Sequence, residues 1–373
     1  MFDFVPLSSY SLVFEFSVLT LIGIMLFQCQ KGSILEKDTT KQNANWGFAY
    51  IIVLILYMGL RPISSVFGDT VNYAAGFRKM AASGEPFQLK FQGEWVFYGL
   101  MGVYAKLSNI HAFYLLCATV YVGSLALAMK RIFNSYYFIP LLVVMSMFTF
   151  WAYGVNGIRN GMGASLFILA MTYVENLPVA IILCLLGCGV HQSTWLMVAA
   201  AAVAWFIKES RYYLVGWLLC VVVSYYWGGP IQEFLSQYAV FGNDTRMAGY
   251  LSGNNQYGEI IQMEMKFHWD FLIYSSMGVA VGYYFIFVRK FEDEYYHWIY
   301  NIYLLTNALW VLVIRATYSN RLAQISWFIL PLVLIYPFMK KRFWENHEKM
   351  LGYALIVFYA FSFYYNILKP VLL

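Results

Sequence analysis

Seven ionisable side chains in this 373-residue chain stand where apolar segments end: Arg61, Asp69, Glu94, Arg159, His191, Arg315 and Arg321. Charge held in apolar surroundings is costly, so such groups are paired or put to use. An arginine presents a planar fork of N–H donors that matches phosphate oxygens. Arg61, Arg159, Arg315 and Arg321 together suit a diphosphate, and fixed positive charge makes a diphosphate a better leaving group. His191 adds an imidazole, which titrates near neutrality and can take or hold a proton. Asp69 and Glu94 could do the same, or could orient the arginines. The bland alternative for each arginine is snorkelling to lipid headgroups; for His191 it is a satisfied interfacial histidine. Two of the seven have distinctive surroundings. Arg159 lies in WAYGVNGIRNGMGASL, whose glycines permit close backbone approach and a broken helix. His191 lies in GCGVHQSTW, at the apex of a tight helical hairpin.

The elements that must position these groups are membrane spans. Hydrophobic residues make up 61% of the chain and charged residues only 12%, about half the roughly 25% of a soluble domain. That balance excludes a soluble globular enzyme, a disordered chain and a secreted disulfide scaffold, and indicates an all-α, polytopic integral membrane protein. The 20% of aromatics suits many interfacial side chains. A bilayer core of about 30 Å needs about 20 apolar residues per helix. Runs of that kind lie near residues 11–29, 47–64, 111–130, 137–153, 212–228, 270–289, 297–314, 322–338 and 350–369. Between Arg159 and Ile207 the chain is almost continuously apolar, and Glu175-Asn176-Leu177-Pro178 and His191-Gln192-Ser193 divide it into three short helices. The run Glu94 to Ala105 is too brief to cross and is read as re-entrant or interfacial, which leaves about twelve crossings.

This map separates the charges. Lys31, Lys37, Lys41, Lys130, Arg131, Lys208, Arg211, Arg289, Lys290, Lys340, Lys341, Arg342 and Lys349 fall in short loops on one side, as cytoplasmic loops require. The seven ionisable residues of interest then fall at the outer ends of helices. Segments 61–93 and 228–269 become long outer loops that would roof a cavity, and TVNYAAGFRKMAAS in the first reads as a short amphipathic helix lying along the membrane. Cys29, Cys117, Cys184, Cys188 and Cys220 read as buried small hydrophobes without metal-ligand spacing. No cleavable signal peptide, nucleotide-binding loop, internal repeat or separate soluble domain is evident, and the net charge of +5 gives no reason to expect a nucleic acid partner.

From about Gly59 to Lys340 the chain resembles the Wzy-type bacterial polysaccharide polymerases, in particular their EpsG-like branch. MGLRPISSVFGDTVNYAAGF resembles an early family stretch and puts Arg61, Asp69 and Tyr73 on its motif positions. GEWVFYGLMGVYAKL resembles the Glu-led segment that follows, giving Glu94. VNGIRNGMGASLFILA and GCGVHQSTW resemble a "G-x-R-(Q/N)" helix followed by "H-x-S", giving Arg159, Asn160, His191 and Ser193. SNRLAQISWFILPLV resembles a late "N-R" helix and gives Arg321. Asn160 stands where Gln is common, and Thr194 follows Ser193 where Ala is common.

The resemblance implies a GT-C-like membrane glycosyltransferase. It would join oligosaccharide units carried on undecaprenyl diphosphate, at the periplasmic face of the bacterial inner membrane. No metal or cofactor is implied, and there is no acidic D-x-D cluster. A flippase and a chain-length regulator of the same pathway are the expected partners, besides membrane lipid. Arg159 and Arg321, helped by Arg61 and Arg315, are expected to grip the diphosphate. His191 is the first choice for activating the acceptor hydroxyl, with Asp69 or Glu94 second. Tyr73, Asn160, Arg246 and Tyr250 are expected to touch the glycan. Direct displacement would invert the anomeric carbon. The competing expectations are an O-antigen ligase that transfers glycan to a lipid A core, a flippase or transporter, and an acyltransferase.

Overall fold

A computed structural model describes residues 4–83, 91–237, 267–316 and 320–372. Among these residues the secondary structure is helical throughout, with no strand. In chain order the helices are α1 (Tyr10–Lys31), α2 (Lys37–Gly59), α3 (Thr70–Ala82), α4 (Trp95–Leu107), α5 (Ile110–Phe133), α6 (Phe138–Met145), α7 (Phe150–Val155), α8 (Ile158–Met171) and α9 (Leu177–Val190). They continue as α10 (Thr194–Phe206), α11 (Ser210–Gln237), α12 (Trp269–Tyr283), α13 (Glu294–Leu312), α14 (Asn320–Trp327), α15 (Leu330–Lys340), α16 (His347–Phe363) and α17 (Lys369–Leu372).

Six helical stretches are long and apolar enough to cross a bilayer: Leu7–Lys31, Ile110–Tyr136, Ser210–Ile231, Trp269–Val288, Arg321–Lys340 and His347–Leu372. The protein is a membrane protein. The expected division of residues 159–207 into three short helices is what α8, α9 and α10 form, with 14, 14 and 13 residues. At 1.5 Å per residue each is about 20 Å long, short of the about 30 Å bilayer core. Pro178 in the first turn of α9 fixes that start. The expected span 137–153 differs: it is broken at Ser146–Thr149 into α6 and α7. The expected amphipathic segment is α3, which buries Thr70, Tyr73, Ala74 and Phe77, one stripe of a helix.

The chain divides into two compact units, Met1–Trp195 with Phe338–Leu373, and Leu196–Pro337. In the first, α8 packs on both α5 and α9, α2 packs on α5, α4 on α3 and α9, and α1 on α16. In the second, α13 packs against α11, α12 and α14. Glycines set the spacing in the first unit. A Cβ on Gly163 would stand 2.6 Å from Thr194 Oγ1, and one on Gly187 3.0 Å from the carbonyl oxygen of Gly163. A Cβ on Gly189 would meet Val96 Cγ2 at 2.5 Å and Trp95 Nε1 at 2.9 Å. Hydrogen there lets α9 lie against α8 on one side and the start of α4 on the other, closer than any side chain permits.

Candidate active site around Glu94

Both acids expected in the site immediately precede a helix and follow a glycine in the left-handed region. Gly68 (φ +57°) precedes Asp69 at the start of α3, and Gly93 (φ +59°) precedes Glu94 at the start of α4. A side chain would strain either turn. Arg159 stands in the first turn of α8. His191 terminates α9 with extended backbone (φ −150°, ψ 126°), and its carbonyl accepts the Thr194 N–H at 3.1 Å as α10 begins. Helix ends, rather than helix middles, therefore present the groups.

Three of them meet on one carboxylate. Glu94 Oε2 accepts from Arg159 Nη1, and Glu94 Oε1 is bonded to His191 Nδ1. The Glu94 side chain is 5% exposed, Arg159 14% and His191 24%. In such surroundings an unpaired charge would be costly, while a charge-assisted hydrogen bond is strong. Arg159 is further held by two phenols: its Nε donates to Tyr73 Oη at 3.3 Å and its Nη1 to Tyr98 Oη at 3.1 Å. The rings of Tyr73, Phe97 and Tyr98 surround the guanidinium, with centroids 5.6, 5.8 and 5.8 Å from Cζ, within cation–π range. Burial pushes the Tyr73 phenol up to about 12, so it stays a neutral hydroxyl.

An ionised carboxylate only accepts hydrogen bonds, so the bond to Glu94 puts a proton on His191 Nδ1 and leaves Nε2 as the atom free to act. Among the described residues Arg159 Nη2 finds no acceptor, so that nitrogen keeps two N–H donors for an incoming anion. The arrangement can hold an anionic oxygen and accept a proton within one site.

The other expected residues are distributed differently. Asp69 accepts from Asn72 Nδ2 at 3.1 Å, and its backbone N–H donates to Asn156 Oδ1 at 2.9 Å. It lies one turn before Tyr73 on α3, without joining the Glu94 bonds. Arg61, expected to help grip the diphosphate, is instead walled in at 1% exposure. Its Nη1 donates to the Met58 carbonyl at 2.6 Å, and its Nη2 to Thr70 Oγ1 at 2.9 Å and the Val155 carbonyl at 3.0 Å, with the Tyr114 ring 4.6 Å from Cζ. It caps the end of α2 and ties it to α3 and α7, and its Nε is buried without a hydrogen-bond partner. Asn160 and Ser193 are half-buried, and among the described residues neither side chain makes a hydrogen bond. Arg315 and Arg321 belong to the second unit. Arg315 Nη2 donates to the Tyr225 carbonyl at 3.1 Å beside the Phe267 ring, and Arg321 is exposed near the start of α14. Arg246 and Tyr250 lie outside the described residues, as does most of the outer segment 228–269.

Sequence reading missed Tyr98 and Phe97. The signal for Tyr98 was available, because it stands four residues after Glu94 on a helix and so shares its face.

Residues 45–371 match the EpsG family. The chain belongs to the EpsG family. The match is wider than the resemblance read from the motifs, and its range contains Glu94, Arg159, His191 and Arg321. No curated protein and no solved structure matches this EpsG-family chain. Among the described residues, no three His, Cys, Asp or Glu side chains form a group that could hold a metal ion.

Proposed function

We propose that this EpsG-family membrane protein is a polysaccharide polymerase: a metal-independent, inverting glycosyltransferase that joins oligosaccharide units carried on undecaprenyl diphosphate. The proposed setting is the periplasmic face of the inner membrane, on a GT-C-like scaffold of about twelve crossings counting the short helices. The product would be O-antigen or exopolysaccharide, made beside a flippase and a chain-length regulator. The observation that carries the proposal is the shared grip of Glu94 on Arg159 and His191, an imidazole and a guanidinium held on one carboxylate.

In the proposed reaction His191 Nε2 takes the proton of an acceptor-sugar hydroxyl. The oxygen bonds to the donor's anomeric carbon, and the bond from that carbon to the lipid diphosphate breaks with its electron pair leaving on the phosphate oxygen. Arg159 Nη2, and in this reading Arg321, would stabilise the charge that develops on the departing diphosphate. Glu94 acts through its neighbours: it fixes the His191 tautomer and orients the Arg159 fork, as the carboxylate of a catalytic triad orients its histidine. Backside attack accounts for inversion.

Deleting the gene and separating the extracted polysaccharide on a gel tests the proposal. A polymerase leaves single-unit glycan where a ladder stood, and a plasmid copy restores the ladder while Arg159→Ala does not. Loss of all attached glycan would instead assign the protein to ligation, and an unchanged ladder would end both readings.

A further inference from the structure

Tyr98 differs from the other side chains around Arg159 in being both bonded to it and open. The residue is 42% exposed, whereas Tyr73 is 8% and Phe97 0% exposed. Its hydroxyl oxygen accepts the Arg159 Nη1–H at 3.1 Å. A phenol has one proton to give besides the lone pairs it offers, and among the described residues the Tyr98 proton meets no acceptor. Accepting from a cationic donor polarises a hydroxyl and makes it the better donor in turn. Tyr98 O–H and Arg159 Nη2–H are then two uncommitted donors at one guanidinium.

We propose that Tyr98 is a substrate-contacting residue whose hydroxyl donates to a phosphoryl oxygen of the lipid-linked diphosphate, beside Arg159. The inference rests on the polymerase reading and adds a donor to it. The hydroxyl keeps its proton throughout. Its hydrogen bond strengthens as the bond to the anomeric carbon breaks and the electron pair moves onto the diphosphate, so it favours the transition state over the bound substrate. The ring serves a second purpose, closing the Arg159 cage on the open side, and Tyr98→Phe separates the two by removing the hydroxyl alone.

The test uses the full-length protein in nanodiscs, with undecaprenyl diphosphate as the binding probe, and the polymer ladder in cells as the rate readout. For Tyr98→Phe the expected result is an unchanged melting temperature, about tenfold weaker binding of the probe, as for loss of one hydrogen bond to a charged group, and a larger fall in polymer. Tyr73→Phe, which removes a hydroxyl enclosed in the cage, should alter probe binding less. Equal binding and an equal ladder for Tyr98→Phe and wild type would overturn the inference while leaving the polymerase reading intact. A wild-type protein that binds no diphosphate lipid would overturn that reading, and the inference with it. Should Tyr98→Phe melt lower than wild type, Tyr98→Trp, which keeps a ring and an N–H donor, must retain more probe binding than Tyr98→Phe at matched stability; the reverse order counts against the hydroxyl.

Discussion

Two arginines with the same sequence signature, each at the end of an apolar run, have opposite fates. Arg61 is enclosed and holds three acceptors of its own chain, while Arg159 keeps one nitrogen uncommitted. Their substitutions should therefore separate stability from activity. Arg61→Leu strands the buried Met58 carbonyl, at a cost of about 1–3 kcal/mol; membrane levels and melting temperature should fall while polymer made per molecule is kept. Arg159→Ala should leave the protein in the membrane and abolish polymer, and Arg159→Lys should be nearly as poor, because an ammonium lacks the second edge of the fork. Immunoblots of membranes beside polysaccharide gels read both quantities at once. Glu94→Gln makes a further case. It keeps the bulk but removes the charge that fixes the His191 tautomer, so polymer should fall about 100-fold or more, within the usual range for losing general base catalysis. A Glu94→Gln ladder matching wild type would leave Glu94 as packing only. The three partners were legible as misplaced charges, but their meeting was not: Glu94 is 65 residues from Arg159 and 97 from His191, separations at which no helical period relates one side chain to another.

At the scale of helices, punctuation was readable wherever it was polar. Pro178 and His191-Gln192-Ser193 mark the ends of α8, α9 and α10 because each interrupts an apolar run. The break between α6 and α7 carried only two small hydroxyls, Ser146 and Thr149, around Met147 and Phe148, which are buried and as apolar as the helices beside them. What hydropathy cannot express at all is how near two helices stand, and here glycines decide it. Gly189 has Trp95 and Val96 over it, one and two residues past Glu94, and lies two residues before His191. Gly189→Ala should drive α4 and α9 apart by part of an ångström and stretch the Glu94–His191 bond. Overpacking of this kind costs about 1–3 kcal/mol, and a misplacement near 1 Å can cost about 100-fold in rate. Activity should thus fall more steeply than stability. Gly123→Ala on α5, where a Cβ meets nothing within 4 Å, is the matched control and should leave both unchanged. Equal effects of the two substitutions on the polymer ladder would show that helix spacing at Gly189 does not set the site.

At the scale of the whole chain, the family match runs through both compact units, so neither is an appendage that the family lacks. The first contains Glu94, Arg159 and His191; the second contains Arg315 and Arg321. In the proposed mechanism His191 of the first unit would deprotonate the acceptor sugar, and Arg159 would hold part of the diphosphate. Two phosphates present more anionic oxygens than one edge of a guanidinium can serve, and in the proposed mechanism Arg321, exposed near the start of α14, would be the second arginine. The proposed mechanism therefore makes a thermodynamic demand. If Arg159 and Arg321 grip the same diphosphate, Arg159→Ala and Arg321→Ala each remove part of one cooperative interaction, and the double substitution should weaken undecaprenyl diphosphate binding by clearly less than the product of the two single effects. Sites that act independently multiply their effects, whereas sites that share a ligand show coupling energies of about 0.5–3 kcal/mol. Binding measured on wild type, both single variants and the double variant, in nanodiscs at one salt concentration, closes the cycle. Simple multiplication of the two losses would separate Arg321 from the diphosphate and leave the chemistry to the first unit alone.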